Sequence, residues 1–150
     1  MTTLSRRYSS GITGLTSIVV MSKVIVDGLC FGEGPRWRDG HLWLSDMHDQ
    51  KVLKVSPGGH SEVVVALADD QPSGLGWMPN GDLLIVAMRS KRLLRFDSNE
   101  ISVHADLSEL ASGFCNDMVV DKIGRAYVGN FGFDIHNNAP RKKAEIILVE

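Results

Sequence analysis

PSGLGWMPNGDLLIVAM, residues 72–88, decides the fold, because the chain repeats this phrase in outline three times. GEGPRWRDGHLWLSDM (32–47) precedes it and CNDMVVDKIGRAYVGNF (115–131) follows. Each copy holds a short apolar stretch, a polar turn closing on glycine (Gly40, Gly81, Gly124) and a second apolar run. The turn glycines stand 41 and 43 residues apart. After the first two copies come KVLKVS and RLLRFD, then SEVVVAL and ISVHADL, all rich in Val, Leu and Ile. Runs of this length between turn signals such as Pro57-Gly58-Gly59 and Asn80-Gly81 read as strands. No long window keeps the 3.6-residue period of a helix, and LSELAS (Leu107 to Ser112) amounts to one turn at most.

Four short strands recurring every ~40–50 residues is the pattern of a β-propeller blade. A β-sandwich of meandering hairpins also yields short strands, but it does not demand self-similarity over forty residues. The expectation is an all-β propeller with two complete blades and a third made of its first two strands and AEIILVE (144–150). Propellers close with roughly four to eight blades. Residues 21–150 therefore read as the N-terminal half of a propeller domain, with further blades expected to complete it.

The 150 residues are 43% hydrophobic and 23% charged, a globular balance able to bury a core without staples. A net charge of -2 and no basic stripe argue against nucleic acid as partner. Cys30 and Cys115 form no CxxC pair and read as free buried thiols of a cytosol-like compartment. Residues 1–20, rich in Ser and Thr with Arg6 and Arg7 and no acid, read as a leader, disordered or ahead of the true start at Met21. A mitochondrial address is the alternative reading. No run reaches the ~18 apolar residues of a membrane helix, so a membrane is not an expected partner.

Aligning the repeats on their first strands places polar residues in one register. Glu33 lies four residues before Trp37, Ser73 four before Trp77, and Asn116 four before Val120. First strands line a propeller's central channel, so Glu33 and Asn116 are oxygen donors aimed at one axial point. A carboxylate with an amide oxygen suits a hard cation such as Ca²⁺ or Mg²⁺. The plain alternatives are an Asx-type turn for Asn116 and a solvent-facing Glu33. The same face offers Asp46, His48 and Asp49 after one second strand, and Asn130, Phe131 and Asp134 after another. Asp46 and His48 are candidate catalytic groups; equally, His48 is a solvated loop residue. The polar stretch HNNAPRKKA (136–144) is long enough to overhang a site, with Arg141, Lys142 and Lys143 available to an acidic substrate or simply solvated. Trp37, Trp43 and Trp77 read as packing between blades.

FGEGPRW, QPSGLGW and CNDMVVDKIGRAYVGNFGFD together resemble the senescence marker protein/gluconolactonase/luciferin-regenerating-enzyme-like family, from about Val26 onward. The resemblance implies a six-bladed propeller with an axial divalent metal, most often Ca²⁺, with Zn²⁺, Mg²⁺ or Mn²⁺ as alternatives. It implies hydrolysis of a sugar lactone or related small ester. Glu33 matches the family's first metal ligand. Asn116 matches an asparagine that ligates the metal in some members and contacts substrate in others. Ser73, Asn130 and Phe131 stand as further substrate-binding candidates. The family's later ligands, in blades four and five, have no counterpart among the 150 residues. A non-catalytic calcium- or metabolite-binding propeller, or an inactive truncated fragment, are the other readings.

Overall fold

The computed structural model describes residues 4–5, 21–134 and 137–150. The expected leader, residues 1–20, lies outside the described residues except for β1 (Leu4–Ser5), which pairs antiparallel with β2 (Met21–Ser22). The rest is three antiparallel sheets and, among the described residues, no helix. Among the described residues no helix is long and apolar enough to cross a membrane.

The first blade is a meander of β3 (Gly32–Arg38), β4 (His41–Asp46), β5 (Lys51–Val55) and β6 (Ser61–Ala66). The second repeats it as β7 (Pro72–Trp77), β8 (Leu83–Ala87), β9 (Arg92–Phe96) and β10 (Ile101–Asp106). The third has β11 (Cys115–Val120), β12 (Ala126–Asn130) and β13 (Ile146–Val149). Gly40, Gly81 and Gly124 close the turn between first and second strands at φ of 75°, 97° and 96°. Glycine enters that left-handed region without the Cβ penalty. The forty-residue repeat is thus a propeller blade, not a sandwich hairpin.

The sheets meet chiefly through their first strands, with β7 packed against β3, β4 and β11. Two cores fill the seams. Between blades one and two, Val52, Val65 and Trp43 face Leu75, Leu83 and Ile85. Between blades two and three, Leu84, Val86 and Leu93 face Met118, Ala126 and Val128. A third cluster lies on the outer face of blade one, where Ile25, Val26 and Leu29 cover Leu44, Leu53 and Val55.

Two expectations need correction. Trp43 and Trp77 do pack between blades, edge to face at 5.4 Å, but Trp37 is 65% exposed. Trp37 pairs with Leu42 on the outer face of blade one, against which no other blade packs among the described residues. Cys30 and Cys115 are both free, yet Cys115 alone is buried; Cys30 sits exposed in the approach to β3.

Candidate functional site

The three polar positions in register fall at one backbone irregularity. Glu33 pairs with Ser45, but the next pairing, Arg36 with Trp43, has slipped by one residue. The same slip occurs between Pro72 and Leu75 and between Cys115 and Met118. Each first strand thus carries a one-residue bulge, at Gly34-Pro35 directly after Glu33, at Ser73-Gly74 or at Asn116-Asp117. Bulges re-aim side chains and increase local twist. The structure therefore places Glu33, Ser73 and Asn116 at equivalent points of three successive inner strands, as the spacing predicts.

Gly34 shows how tightly these strands approach. Its φ is +58°, and a Cβ there would stand 2.7 Å from the Ser73 carbonyl oxygen. That carbonyl accepts a 2.7 Å hydrogen bond from the buried Ser45 hydroxyl. Ser73 is 0% exposed, and its own hydroxyl has no hydrogen-bond partner. An unpaired buried hydroxyl costs ~1–3 kcal/mol unless something satisfies it. At blade three, a Cβ on Gly129 would stand 2.7 Å from Asn116 Oδ1, so the glycine leaves room for that amide.

Around this register the loops are pinned by side chains. Asp46 is 3% exposed and its carboxylate accepts the backbone N–H of Cys30 at 3.0 Å and of Phe31 at 2.7 Å. It ends β4 and holds the approach to Glu33. Asp70 does the same one blade on, accepting from Arg89 N at 2.9 Å and Ser90 N at 3.0 Å. His48 is exposed; its Nδ1 lies 3.1 Å from the Gln71 amide, and its ring meets Phe31 edge-on at 5.3 Å. Asn130 is 7% exposed, with Oδ1 accepting from Gly132 N at 2.7 Å and Nδ2 donating to the Glu145 carbonyl at 3.0 Å. Phe131 packs against the core of the second seam.

The connection after Asn130 folds back over this end. Carbonyls of Lys142 and Lys143 crowd Gly132, while Arg141, Lys142 and Lys143 stay exposed. His136, which opened the expected overhanging loop, lies outside the described residues. Glu145 clamps the loop's far end. Its carboxylate accepts from Ser112 Oγ at 2.6 Å and from Asn130 Nδ2 at 3.1 Å. The Ser112 hydroxyl first, then its N–H and the Asn130 amide, hold Glu145 below the usual carboxylate range.

Sequence spacing did not single out Glu145, nor Arg36. Three residues along from Glu33, Arg36 donates to the Leu75 carbonyl at 3.1 Å and the Met118 carbonyl at 2.6 Å, and pairs with Asp117. One guanidinium therefore ties together the inner strands of all three blades. The signal was present in the aligned repeats, where Arg36 stands opposite Gly76 and Val119. Arg36, Trp77 and Val119 help line a cavity of about 290 Å³ at the opposite, C-terminal end of the inner strands, away from Glu33, Ser73 and Asn116.

Among the described residues no three His, Cys, Asp or Glu side chains gather as a metal cluster. The in-register set of carboxylate, amide and unpaired hydroxyl consists of oxygen donors, the chemistry a hard cation takes. Calcium needs ~6–8 oxygens, so these three fit as part of a coordination shell.

Comparison with solved structures supports the fold. The gluconolactonase from Xanthomonas campestris matches with a TM-score of 0.69 at 16% identity, over 96% of this chain and 51% of that one. Regucalcin, a calcium-binding protein from Agrobacterium tumefaciens, matches with a TM-score of 0.59 at 16% identity, over 86% and 50%. Virginiamycin B lyase from Staphylococcus aureus matches with a TM-score of 0.57 at 13% identity, over 89% and 45%. The chain spans about half the length of these structures. No curated protein matches it in sequence. The match that reaches beyond fold runs over residues 31–149, from the residue before the bulged strand of Glu33 to the end of β13, and by it the chain belongs to the SMP-30/Gluconolactonase/LRE-like family.

Proposed function

We propose that this chain carries part of the site of a metal-dependent lactonase, in which Glu33 and Asn116 hold an axial divalent cation, most often Ca²⁺. The observation that carries this reading is the recurrence of one bulge in three inner strands, with an oxygen donor at or directly before each, in a member of this family. Bound there, the cation supplies Lewis acidity toward a lactone carbonyl. The chain's own groups do the rest. Glu33 brings the negative charge, Asn116 a neutral oxygen, and the Ser73 hydroxyl a donor or acceptor with no competing partner. Asn130 and Phe131 shape the wall through the loop they anchor. His48, exposed beside Gln71 and Phe31, is the group we assign to accept a proton or contact a substrate hydroxyl. The exposed Arg141–Lys143 run draws in an anionic sugar derivative. The proposed compartment is cytoplasmic and the partner a small lactone or related ester.

Calorimetric titration of the chain with Ca²⁺ tests the metal. Binding that is lost in Glu33→Gln, together with EDTA-sensitive hydrolysis across a sugar-lactone panel, is the expected result. Lactone turnover unchanged by both chelation and Glu33→Gln would sink the proposal. One observation favours a second reading, a non-catalytic calcium- or metabolite-binding propeller. Asp46 already spends its carboxylate on two backbone N–H groups, so this buried carboxylate is committed to structure. Calcium binding without turnover would select that reading.

A further inference from the structure

Arg36 turns its guanidinium to all three bulges. Nη1 donates to the Pro35 carbonyl at 3.0 Å, within the bulge of blade one. Nε donates to the Leu75 carbonyl at 3.1 Å, directly after the Ser73-Gly74 bulge. Nη2 donates to the Met118 carbonyl at 2.6 Å and pairs with the carboxylate of Asp117, inside the bulge of blade three. A guanidinium carries its N–H donors in one rigid plane, so a single side chain can serve several fixed acceptors at once. Other ion pairs stay local. Lys54–Glu62, Arg95–Asp82 and Arg125–Asp121 each join residues of one blade, whereas Arg36–Asp117 reaches from the first blade to the third.

The β11–β12 ladder does not hold Asn116. Its pairing stops at Cys115 and resumes at Met118, so Asn116 and Asp117 lie outside it. A bulged residue left out of the ladder is aimed by whatever else touches its segment. Gly129 leaves room for the Asn116 amide on one side, and Gly74 lies close enough that a Cβ there would stand 3.0 Å from the Asn116 carbonyl oxygen. The Asp117 carboxylate accepts the Met118 N–H at 2.8 Å, which tightens the turn just after Asn116. Arg36 grips that same carboxylate and the Met118 carbonyl, and its side chain is 28% exposed. The glycines set the space; the guanidinium sets the direction.

We infer that Arg36 is a positioning residue for the axial site. Through Asp117 and Met118 it fixes the bulge that aims the Asn116 amide, and so governs how tightly a divalent cation is held. The consequence for the cation rests on the metal reading above, but the orientation of Asn116 can be observed without metal. Groups behind the ligands of a metal site are worth about 10–100-fold in affinity. Lysine is a poor substitute, because an ammonium is a point charge without the planar fork. It can pair with Asp117 only by giving up the carbonyls of the other strands.

Two measurements on the 150-residue chain decide this. The first is the side-chain amide resonance of Asn116 in isotope-labelled, metal-free protein, assigned by its loss in Asn116→Asp. A single sharp amide is expected in the native chain, and a shifted or split one in Arg36→Met. The second is Ca²⁺ affinity by calorimetry, expected to fall about tenfold or more in Arg36→Met and in Asp117→Asn. The double variant should be little weaker than Arg36→Met alone, because both changes break one link. Arg36→Lys should fall between native and Arg36→Met. Ile85→Ala, in the first seam, should lower the thermal midpoint with the Asn116 signal and the affinity unchanged, which a merely structural role for Arg36 would not predict. An Asn116 amide that is the same in Arg36→Met and the native chain overturns the inference, whatever calcium does. An affinity that holds while the amide moves overturns the link to the cation. A native chain that binds no Ca²⁺ while Arg36→Met still moves the amide refutes the metal reading and upholds the positioning. Should Arg36→Met lose its far-ultraviolet strand signal, Asp117→Asn, which keeps the guanidinium, is read in its place, and an unmoved amide there is equally fatal.

Discussion

Blade two and blade three are built from the same phrase yet live in different environments. Every residue of β8 in blade two is buried, whereas its counterpart β12 in blade three alternates buried and half-buried positions. The difference lies in neighbours. Blade two is packed on both sides, so LLIVA reads as a continuous apolar run; blade three is packed on one, and AYVGN keeps glycine and tyrosine on its open side. A propeller blade is thus a sheet whose two faces are chemically assigned by what stands beside them.

The sharpest way to break this comparison is to remove the same side chain from each environment. Ile85 is 0% exposed in the first seam, and Ile123 is 72% exposed in the β11–β12 turn. Ile85→Ala removes buried methyl groups and leaves a cavity, at a cost of about 2–5 kcal/mol. Ile123→Ala should stay within about 0.5 kcal/mol, as for surface positions generally. Urea denaturation of both variants checks the contrast, and equal midpoints would show that the seam between blades one and two is not packed as described.

Much of this architecture was legible in the sequence. The repeat spacing gave the blades, the turn glycines gave their hairpins, and the four-residue offset before Trp37 and Trp77 gave the inner register. What stayed hidden depends on the third dimension. Nothing local marks Asp46 as an anchor for the backbone of residues 30 and 31, sixteen and fifteen positions away. Arg36 reads as an ordinary surface cation until the inner strands converge and its guanidinium finds carbonyls on two other blades. Trp37 matched Trp77 in every local respect, and only the absence of a neighbour on its side separated them. Long-range partners and empty faces are properties of assembly, which strand patterning does not encode.

A smaller but more local break is available at the seam of blades two and three. A Cβ on Gly74 would lie 2.5 Å from Met118 N and 2.9 Å from the Asp117 carbonyl carbon. Both are backbone atoms, so the strands must part for even one methyl group. Gly74→Ala is expected to cost about 1–3 kcal/mol, read as a lower thermal midpoint. Because it separates Asn116 from Ser73, it should also weaken any axial Ca²⁺ affinity beyond what the stability loss explains. An unchanged midpoint would mean that the inner strands are looser than the bulge geometry requires.

The gentlest probe compares the two thiols. Cys115 is 0% exposed in the second seam, and burial pushes its thiol up to about 11, while Cys30 is exposed. At pH 8 a thiol reagent should therefore label one cysteine in the native chain and both in urea, since the thiolate is the nucleophile. The pH dependence of stability has a definite sign. An acid whose folded pKa lies above its unfolded one, here about 11 against the ordinary 9.0, contributes its full stability below about pH 9. That contribution drains away as the unfolded chain ionises first, through the window up to about pH 11. Cys115→Ala should flatten this part of the profile, and a native chain that labels twice at pH 8 would show that the seam behind Asn116 opens readily to solvent.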